Sequence, residues 1–354
     1  MTQFAEKHYP EVLLPEELDA YLEKGWYRMG QTVFTTHFLC FDLGFFSAIW
    51  IRQDLQNFIF NKRQRKLLHR NGHLFHFSWQ PATITEEKEL LYSRYRAAFK
   101  GLLSPSLREN LLDGEEYNIF STYEITIYDG SRLIGLSYFD LGHNSAASIM
   151  GIYDPEYQRY SIGYYSMLLE MLFCQKHNRR FYYPGYVVPG YQRFDYKLRI
   201  GSVEYYHLPS GDWLPYDNLQ PDDIPLRKMH RQLSVLQSYL PKHQIQAQLQ
   251  YYPLFEANLF GFWNAPYLDH PLVVKVLPSE PLGFHLLVTF DIREELYNVL
   301  VCNAFDDMQI YFNNSLSQLF FSDQYFTELV IVDRVAFQHR EVGAVASWIE
   351  EQLQ

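Results

Sequence analysis

Cysteine is scarce in this chain of 354 residues: Cys40, Cys174 and Cys302 stand far apart, and no C-x-x-C pair occurs. That excludes a disulfide framework and a four-thiolate metal site, and a reducing cytoplasm is the natural setting. Long apolar runs are missing as well. Stretches such as PLGFHLLVTF fall far short of the ~20 residues a membrane helix needs, so a soluble protein away from membranes is expected. The opening MTQFAEKHYPEVLL carries charges and no uninterrupted apolar segment, so no secretory signal is read there. Positive charge is outweighed, with 30 Lys+Arg against 41 Asp+Glu and a formal net charge of −11. Such a balance disfavours tight, indiscriminate nucleic-acid binding, DNA above all, but a local basic face can still hold one RNA end.

Apolar and aromatic residues are plentiful. The chain is 47% hydrophobic and 18% aromatic, with 29 Tyr and 27 Phe, which rules out a mainly disordered protein. Its length suggests two or three domains of ~100–200 residues each.

The stretch Ser121 to Tyr206 organises the rest. STYEITIYDGSRLIGLSYFDL reads as two strands joined at Asp129-Gly130-Ser131, where glycine supplies the positive φ of a tight hairpin. SAASIMGIYDPEYQ is a third apolar run closed by Asp154-Pro155. From Ser161, the apolar residues Tyr164, Met167, Leu168, Met171 and Leu172 recur at helical spacing. FYYPGYVV is a further strand, followed by RFDYKLRIGSVEYYHL, rich in Tyr and basic residues. Hairpin, strand, glycine-containing turn, long helix, strand is an order that resembles the acetyltransferase-like (GNAT) fold. An α+β protein is expected, with that mixed sheet and flanking helices between a small N-terminal domain (1–80) and a further C-terminal α/β lobe (219–354); the GNAT-like domain spans 81–218.

On either side the signals are simpler. Pro15 with acidic neighbours opens a helix that Gly25 closes, and Thr85 opens another over Ile84–Leu103. Between them Asn61–Arg70 packs Lys62, Arg63, Arg65, Lys66 and Arg70 into one helical segment. It is either a solvated face or a phosphate-contacting element. GDWLPYDNLQPDDIPLRK reads as a linker, and MHRQLSVLQSYLPKH as a helix stopped at Pro241. PLVVKVL, GFHLLVTFD, YNVLVCNA and TELVIVDRVAF are strand-like, with helices expected at Ser315–Phe321 and Val342–Leu353. No catalytic motif is read in this last lobe.

Several blocks together resemble the arginyl-tRNA–protein transferases. LDAYLEKGWYRMGQTVF and FNKRQRKLLHRN are similar to that family's N-terminal region. YEITIYDGSRLIGLSYFD, SAASIMGIYDPEYQRYSIGYYSMLLEM and FYYPGYVVPGYQRFDYKLRIGSVE are similar, in order and spacing, to its catalytic domain. The helix over Ile84–Leu103, whose apolar side is Leu90, Leu91, Tyr95, Ala98 and Phe99, is similar to a family helix with a Tyr-x-x-Tyr pattern that opens the catalytic domain. Departures include Gly151-Ile152 for an aromatic pair, Pro184 for Leu, and Gly201-Ser202 where Pro is common. The family's cysteine cluster, credited with binding an iron–sulfur cluster or another metal, is reduced here to Cys40. His37, His69, His73 and His76 form no convincing ligand set, so no metal is expected, and cluster-borne redox regulation is in doubt.

The resemblance implies transfer of arginine or leucine from charged tRNA to acceptor proteins beginning with Asp or Glu, marking them for degradation in the N-degron pathway. Such an ester is already activated. The protein must align ester and amine, relay one proton and stabilise an oxyanion, with no cofactor beyond aminoacyl-tRNA as co-substrate. Asp140, at the end of the second hairpin strand, suits a turn cap. Its place in the family block implies that it orients or deprotonates the attacking amine. Tyr153 and Tyr186 join it as catalytic candidates, while Asp154-Pro155 is either a turn initiator or part of the site. Lys62, Arg63 and Arg65, then Arg159, Ser161 and Gly163, then Lys197 and Arg199, are the tRNA- and substrate-binding candidates. Lys197 and Arg199 would share one face if their segment were extended. RYSIGYYS keeps a single glycine, a poor fit to a coenzyme A pyrophosphate loop; Ser161 suits a helix N-cap or a phosphate contact better. An acetyl-CoA-dependent N-acyltransferase and a non-catalytic RNA- or protein-binding relative remain the alternatives.

Overall fold

Gly130 adopts φ +58 and turns the chain in two residues, so that β8 (Thr122–Asp129) pairs antiparallel with β9 (Arg132–Leu141). Glycine at the first central position is what a type II′ turn requires. This hairpin seeds the largest sheet of the computed structural model, which describes residues 3–101, 103–260, 265–279, 282–305 and 319–353. β10 (Ser145–Tyr153) continues antiparallel to β9, and α5 (Ile162–Lys176) then carries the chain to β11 (Phe181–Val187), parallel to β10. That antiparallel set, crossover helix and parallel partner make an α+β, acetyltransferase-like sheet. Its eight strands run β13-β12-β6-β11-β10-β9-β8-β7, with β6 (Ile49–Asp54), β7 (His76–Pro81), β12 (Glu204–His207) and β13 (Asp212–Pro215) as the outer members.

Residues on both sides of the boundary expected at 80 therefore share one sheet, and Gln80 lies inside β7. The segment expected as a linker likewise holds β13 and the first turn of α6 (Pro225–Tyr239), which continues to the predicted stop.

Helices cover both faces. α5 buries residues all round, Ile162, Tyr165, Leu168, Leu169 and Met171 among them, because the sheet lies on one side and α2 (Lys62–Leu74) on the other. α3 (Glu86–Ala98) and α4 (Leu107–Leu112) cover the opposite face through Leu91, Tyr92, Leu107 and Leu111. α1 (Pro15–Glu23) starts as its residues dictate. Pro15 needs no N–H partner, and Glu17 Oε2 accepts from the Leu14 amide at 2.8 Å.

A small sheet, β1 (Ala5–His8), β3 (Thr32–Thr36) and β2 (Tyr27–Met29), precedes the hairpin of β4 (Phe38–Phe41) and β5 (Gly44–Ser47). The C-terminal lobe is a five-stranded sheet of β14 (Gln246–Tyr251), β15 (Leu272–Leu277), β16 (His285–Asp291), β17 (Leu296–Ala304) and β18 (Val330–His339), backed by α6 and the helix Val342–Leu353. Its core takes in Phe4 and Phe38 from the N-terminal segment, and the Arg293 guanidinium lies 3.8 Å over the Phe4 ring. The helix expected at Ser315–Phe321 falls mostly outside the described residues. No described helix is long and apolar enough to cross a membrane.

Candidate active site

β10 and β11 stay paired only from Ser145/Phe181 to Ala147/Tyr183. Beyond that they part, for two local reasons. β10 is irregular between Ser148 and Met150, and Pro184 has no N–H with which to extend the ladder. The result is a split between Met150–Tyr153 on one strand and Gly185–Val187 on the other. Over it lies a 3-10 helix, Gln192–Ile200, packed on β11 and α5.

The floor of the split is Glu170 of α5, fully buried beneath the point of divergence. Its carboxylate accepts from Ser137 Oγ and from Tyr182 OH, the latter at 2.7 Å. Burial raises this carboxyl to about 7, against the pull of the hydroxyls. A folded-state value above the ordinary 4.5 means that the native protein binds more protons than the unfolded chain between those pH values. Stability linked to Glu170 is thus complete below about 4.5 and is lost as pH rises through about 7, on the order of 3 kcal/mol in all. Glu170→Gln should flatten that decline, narrowing the difference in Tm between pH 5 and pH 8 measured by thermal unfolding.

Tyrosines line the walls. Tyr153 packs edge-on against Tyr95 of α3, with ring centroids 5.4 Å apart. Tyr186 stands against Phe194 at 5.3 Å and Trp50 at 5.0 Å. Tyr196 faces Glu170, Tyr153 and Tyr186 electrostatically from the overlying helix. Burial raises the phenol of Tyr186 and lifts Tyr95 to about 12, and partial desolvation raises that of Tyr196, which is still 41% exposed, so these hydroxyls stay protonated donors.

Two cations complete the site. Lys197 Nζ donates to the Tyr186 carbonyl at 3.0 Å and lies 5.3 Å from the Tyr186 ring and 5.5 Å from the Phe194 ring. Among the described residues no carboxylate pairs with it, and burial lowers its pKa to about 8. Gly185 makes room for it: its φ is +92, and a Cβ there would sit 3.0 Å from Lys197 Nζ. Arg193 stands at the mouth, its guanidinium 4.2 Å over the Phe99 ring, with no carboxylate partner among the described residues.

The sequence candidates scatter around this arrangement. Tyr153, Tyr186 and Lys197 line the split, and Gly163, in the first turn of α5, lies beneath the Tyr153 ring. Ser161 occupies the N-cap position of α5 with φ +54, but its side chain makes no capping bond. Arg159 is exposed and donates to Tyr160 OH at 2.8 Å. Lys197 and Arg199 do not alternate on an extended strand. The segment is 3-10 helical, so Lys197 turns into the split while Arg199 lies over the Tyr164 ring at 4.8 Å. Lys62, Arg63 and Arg65 are exposed on α2, where Arg65 donates to the Phe60 carbonyl at 2.7 Å.

Asp140 sits at the other end of the sheet. It pairs in register with Ala147, where β10 and β11 are still joined, whereas Tyr153 faces Gly135. That separates it from the split by roughly 16 Å along β9. Its carboxylate is fully buried, takes Arg28 Nη1 at 3.0 Å and accepts from Thr122 Oγ1 at 2.5 Å. Arg28 also donates to the Leu111 carbonyl, so the pair ties β2 and α4 to the main sheet. Asp140→Ala should strand a buried guanidinium and cost about 3–5 kcal/mol in denaturant unfolding. Any loss of activity should follow the loss of folded protein. Asp154 is likewise engaged within the fold: it takes Arg132 Nη2 at 2.7 Å and caps the Glu156 amide at 3.2 Å.

Sequence reading passed over Tyr95, Glu170, Arg193 and Tyr196. Signals existed for two of them: Tyr95 is the second tyrosine of the Tyr-x-x-Tyr pattern, and Glu170 closes the SMLLE block. Among the described residues no group of three or more His, Cys, Asp or Glu could hold a metal ion.

Residues 87–207, which contain the whole split, match the family described as "Arginine-tRNA-protein transferase, C terminus". An aspartate/glutamate leucyltransferase of Leptospira interrogans is 26% identical over 219 residues, covering 60% of this chain and 83% of the relative. The enzyme of that name from Helicobacter hepaticus is 27% identical over 189 residues, covering 52% and 76%. Among solved structures, FemX overlaps 54% of this chain and 65% of its own at 9% identity, with a TM-score of 0.35.

Proposed function

Because the chain belongs to the aminoacyl-tRNA–protein transferase family, we propose that it transfers an amino acid from charged tRNA to the N-terminal amine of acceptor proteins beginning with Asp or Glu. The observation that carries this reading is the split itself, with an unpaired lysine of pKa about 8 among protonated tyrosines. An acceptor α-amine titrates near 7.7–8.0, so proton exchange with Lys197 is close to thermoneutral.

The steps follow from that match. The ester carbonyl lies in the split, with its oxygen toward the Tyr186 and Tyr196 hydroxyls. The neutral amine attacks, and the new C–N bond forms as Lys197, in its neutral form, takes the proton the nitrogen sheds. The C–O bond to the ribose then breaks, and Lys197 returns that proton to the leaving ribose oxygen. Atoms and charge balance without an external reagent, so no metal or cofactor is required. Arg193 at the mouth would take the acidic first side chain of the acceptor, its guanidinium having no carboxylate partner among the described residues. Such a protein would act in the cytoplasm, where charged tRNA is found, and would mark its acceptors for degradation.

Leucine is the favoured donor. The walls of the split are aromatic, the one carboxylate beneath them is already engaged by hydroxyls, and the relatives are named for leucine and for acidic acceptors. One feature favours arginine instead. Glu256 of the C-terminal lobe is half-buried, its carboxyl is raised to about 7 by burial, and its charge reaches Tyr186 and Cys40. Labelled leucyl- and arginyl-tRNA offered in equal amounts decide between them. Leucine incorporation unaffected by Glu256→Gln supports the first reading. Arginine incorporation that falls at least tenfold in Glu256→Gln would replace it.

A further inference from the structure

Tyr191, Phe194 and Lys197 are spaced three apart, and a 3-10 helix turns once every three residues, so their side chains form one ridge. Tyr191 stands at the N-cap position of that helix. Its ring lies 6.0 Å from that of Phe194, and Lys197 Nζ lies 5.5 Å from the Phe194 ring. The N-terminal end of the ridge meets the hairpin of β4 and β5. Tyr191 stands edge-on to Phe41 at 4.8 Å and meets Phe46 at 5.8 Å.

The hairpin has two faces. Its register sets Cys40 opposite Phe45 and Phe41 opposite Gly44, so alternate residues point to opposite sides. Phe41 and Phe46 share the side turned to Tyr191, stacked 4.5 Å apart, and a Cβ on Gly44 would come within 2.7 Å of the Phe46 ring. Phe38, Cys40 and Phe45 share the other side and pack into or against the core of the C-terminal lobe. Phe45 meets Tyr251 there at 4.7 Å, Phe255 at 6.1 Å and Phe320 at 6.2 Å. Ser47 Oγ accepts from the Leu226 amide of α6 at 2.9 Å, which anchors the same strand. This lobe lies beyond residue 207, where the matched family region ends.

Resting on the transferase reading above, we propose that Tyr191 is a positioning residue for Lys197, and that the C-terminal lobe holds it in place through the two-faced hairpin. The lobe bears on one face, and Phe41 and Phe46 press from the other onto Tyr191. The ridge carries that constraint through Phe194 to the amine. Without the Tyr191 ring, Phe194 loses support, water reaches the Lys197 ammonium, and the amine returns toward its ordinary basicity.

The test uses the full chain and two readouts. One is kcat against pH; the other is the titration of Lys197 itself, followed by competitive acetylation with acetic anhydride and mass spectrometry. Tyr191 is half-buried, so Tyr191→Ala is expected to stay folded. It should lower kcat at pH 7 about tenfold with the acceptor KM within about twofold. The acid limb of the profile and the Lys197 titration should rise together by about one pH unit. Tyr191→Phe should match the unmutated chain, since the ring makes these contacts. Phe45→Ala leaves the ridge intact and loosens the hairpin from the lobe, so it should move the titration the same way by a smaller amount. An unmoved Lys197 titration in folded Tyr191→Ala or folded Phe45→Ala overturns the proposal, as does a Tyr191→Phe chain as impaired as Tyr191→Ala. A titration that moves as expected in a chain that transfers from no charged tRNA counts against the transferase reading alone.

Discussion

Replacing Lys197 by Met is expected to lower kcat for aminoacyl transfer by about 10²–10⁴-fold, the range that a positioned proton-transfer group supplies. The acceptor KM and the affinity for uncharged RNA should stay within about twofold. Methionine matches the length and apolar stem of lysine, and among the described residues the hydrogen bond lost is the one to the Tyr186 carbonyl. The argument rests on two features of the same side chain. It is buried enough to bring its pKa to about 8, and no carboxylate among the described residues restores its charge. At pH 7 about a tenth of such amines are neutral, enough to accept a proton, and the ammonium that results is acidic enough to return it. A purely structural lysine would not respond to free amines. Lys197→Ala should regain part of its lost rate when methylamine or ethylamine is added, and no rescue, with the variant folded, would remove Lys197 from the chemistry.

Charge reversal at the mouth should change which acceptor is used. With Arg193→Glu, kcat/KM for a peptide beginning with Asp should fall by about 10–100-fold, while a peptide beginning with Lys or Arg should become the better substrate. The size follows from trading a charge-assisted pair for a like-charge contact in a partly screened site. Arg193 is exposed and lies over the Phe99 ring with no carboxylate partner among the described residues, so the substitution should leave Tm nearly unchanged. Added salt should compress the effect. An acceptor profile that does not move would place the selection of acidic N-termini elsewhere.

The hairpin at Gly130, the helix of Tyr164 to Leu172 and the alternation of strand and helix were legible because each rests on local chemistry: a positive φ, a 3.6-residue period, a proline or acidic start. The location of the candidate site was only half legible. Tyr153, Tyr186 and Lys197 could be found from the blocks that contain them. Which end of the sheet opens could not, because separation of β10 from β11 depends on pairing between segments more than thirty residues apart. Asp140 was therefore assigned to an open cleft, although its real partner, Arg28, lies 112 residues away. The 3-10 helix was the other obstacle. Nothing in QRFDYKLRI favours it over a strand locally; packing on β11 and α5 decides. Once three residues make a turn, Arg193 and Tyr196 share a face, as do Phe194 and Lys197, and both pairs then reach the split.

The most direct measurement is the intact mass of an acceptor peptide beginning with Asp after incubation with the protein and charged tRNA. A matched peptide acetylated at its amine serves as one control, and acetyl-CoA in place of the charged tRNA as the other. The account predicts a gain of one amino-acid residue at the free N-terminus, no gain on the blocked peptide and no acetylation. Acetylation from acetyl-CoA, or an unchanged peptide mass with folded protein and intact aminoacyl-tRNA, would contradict it.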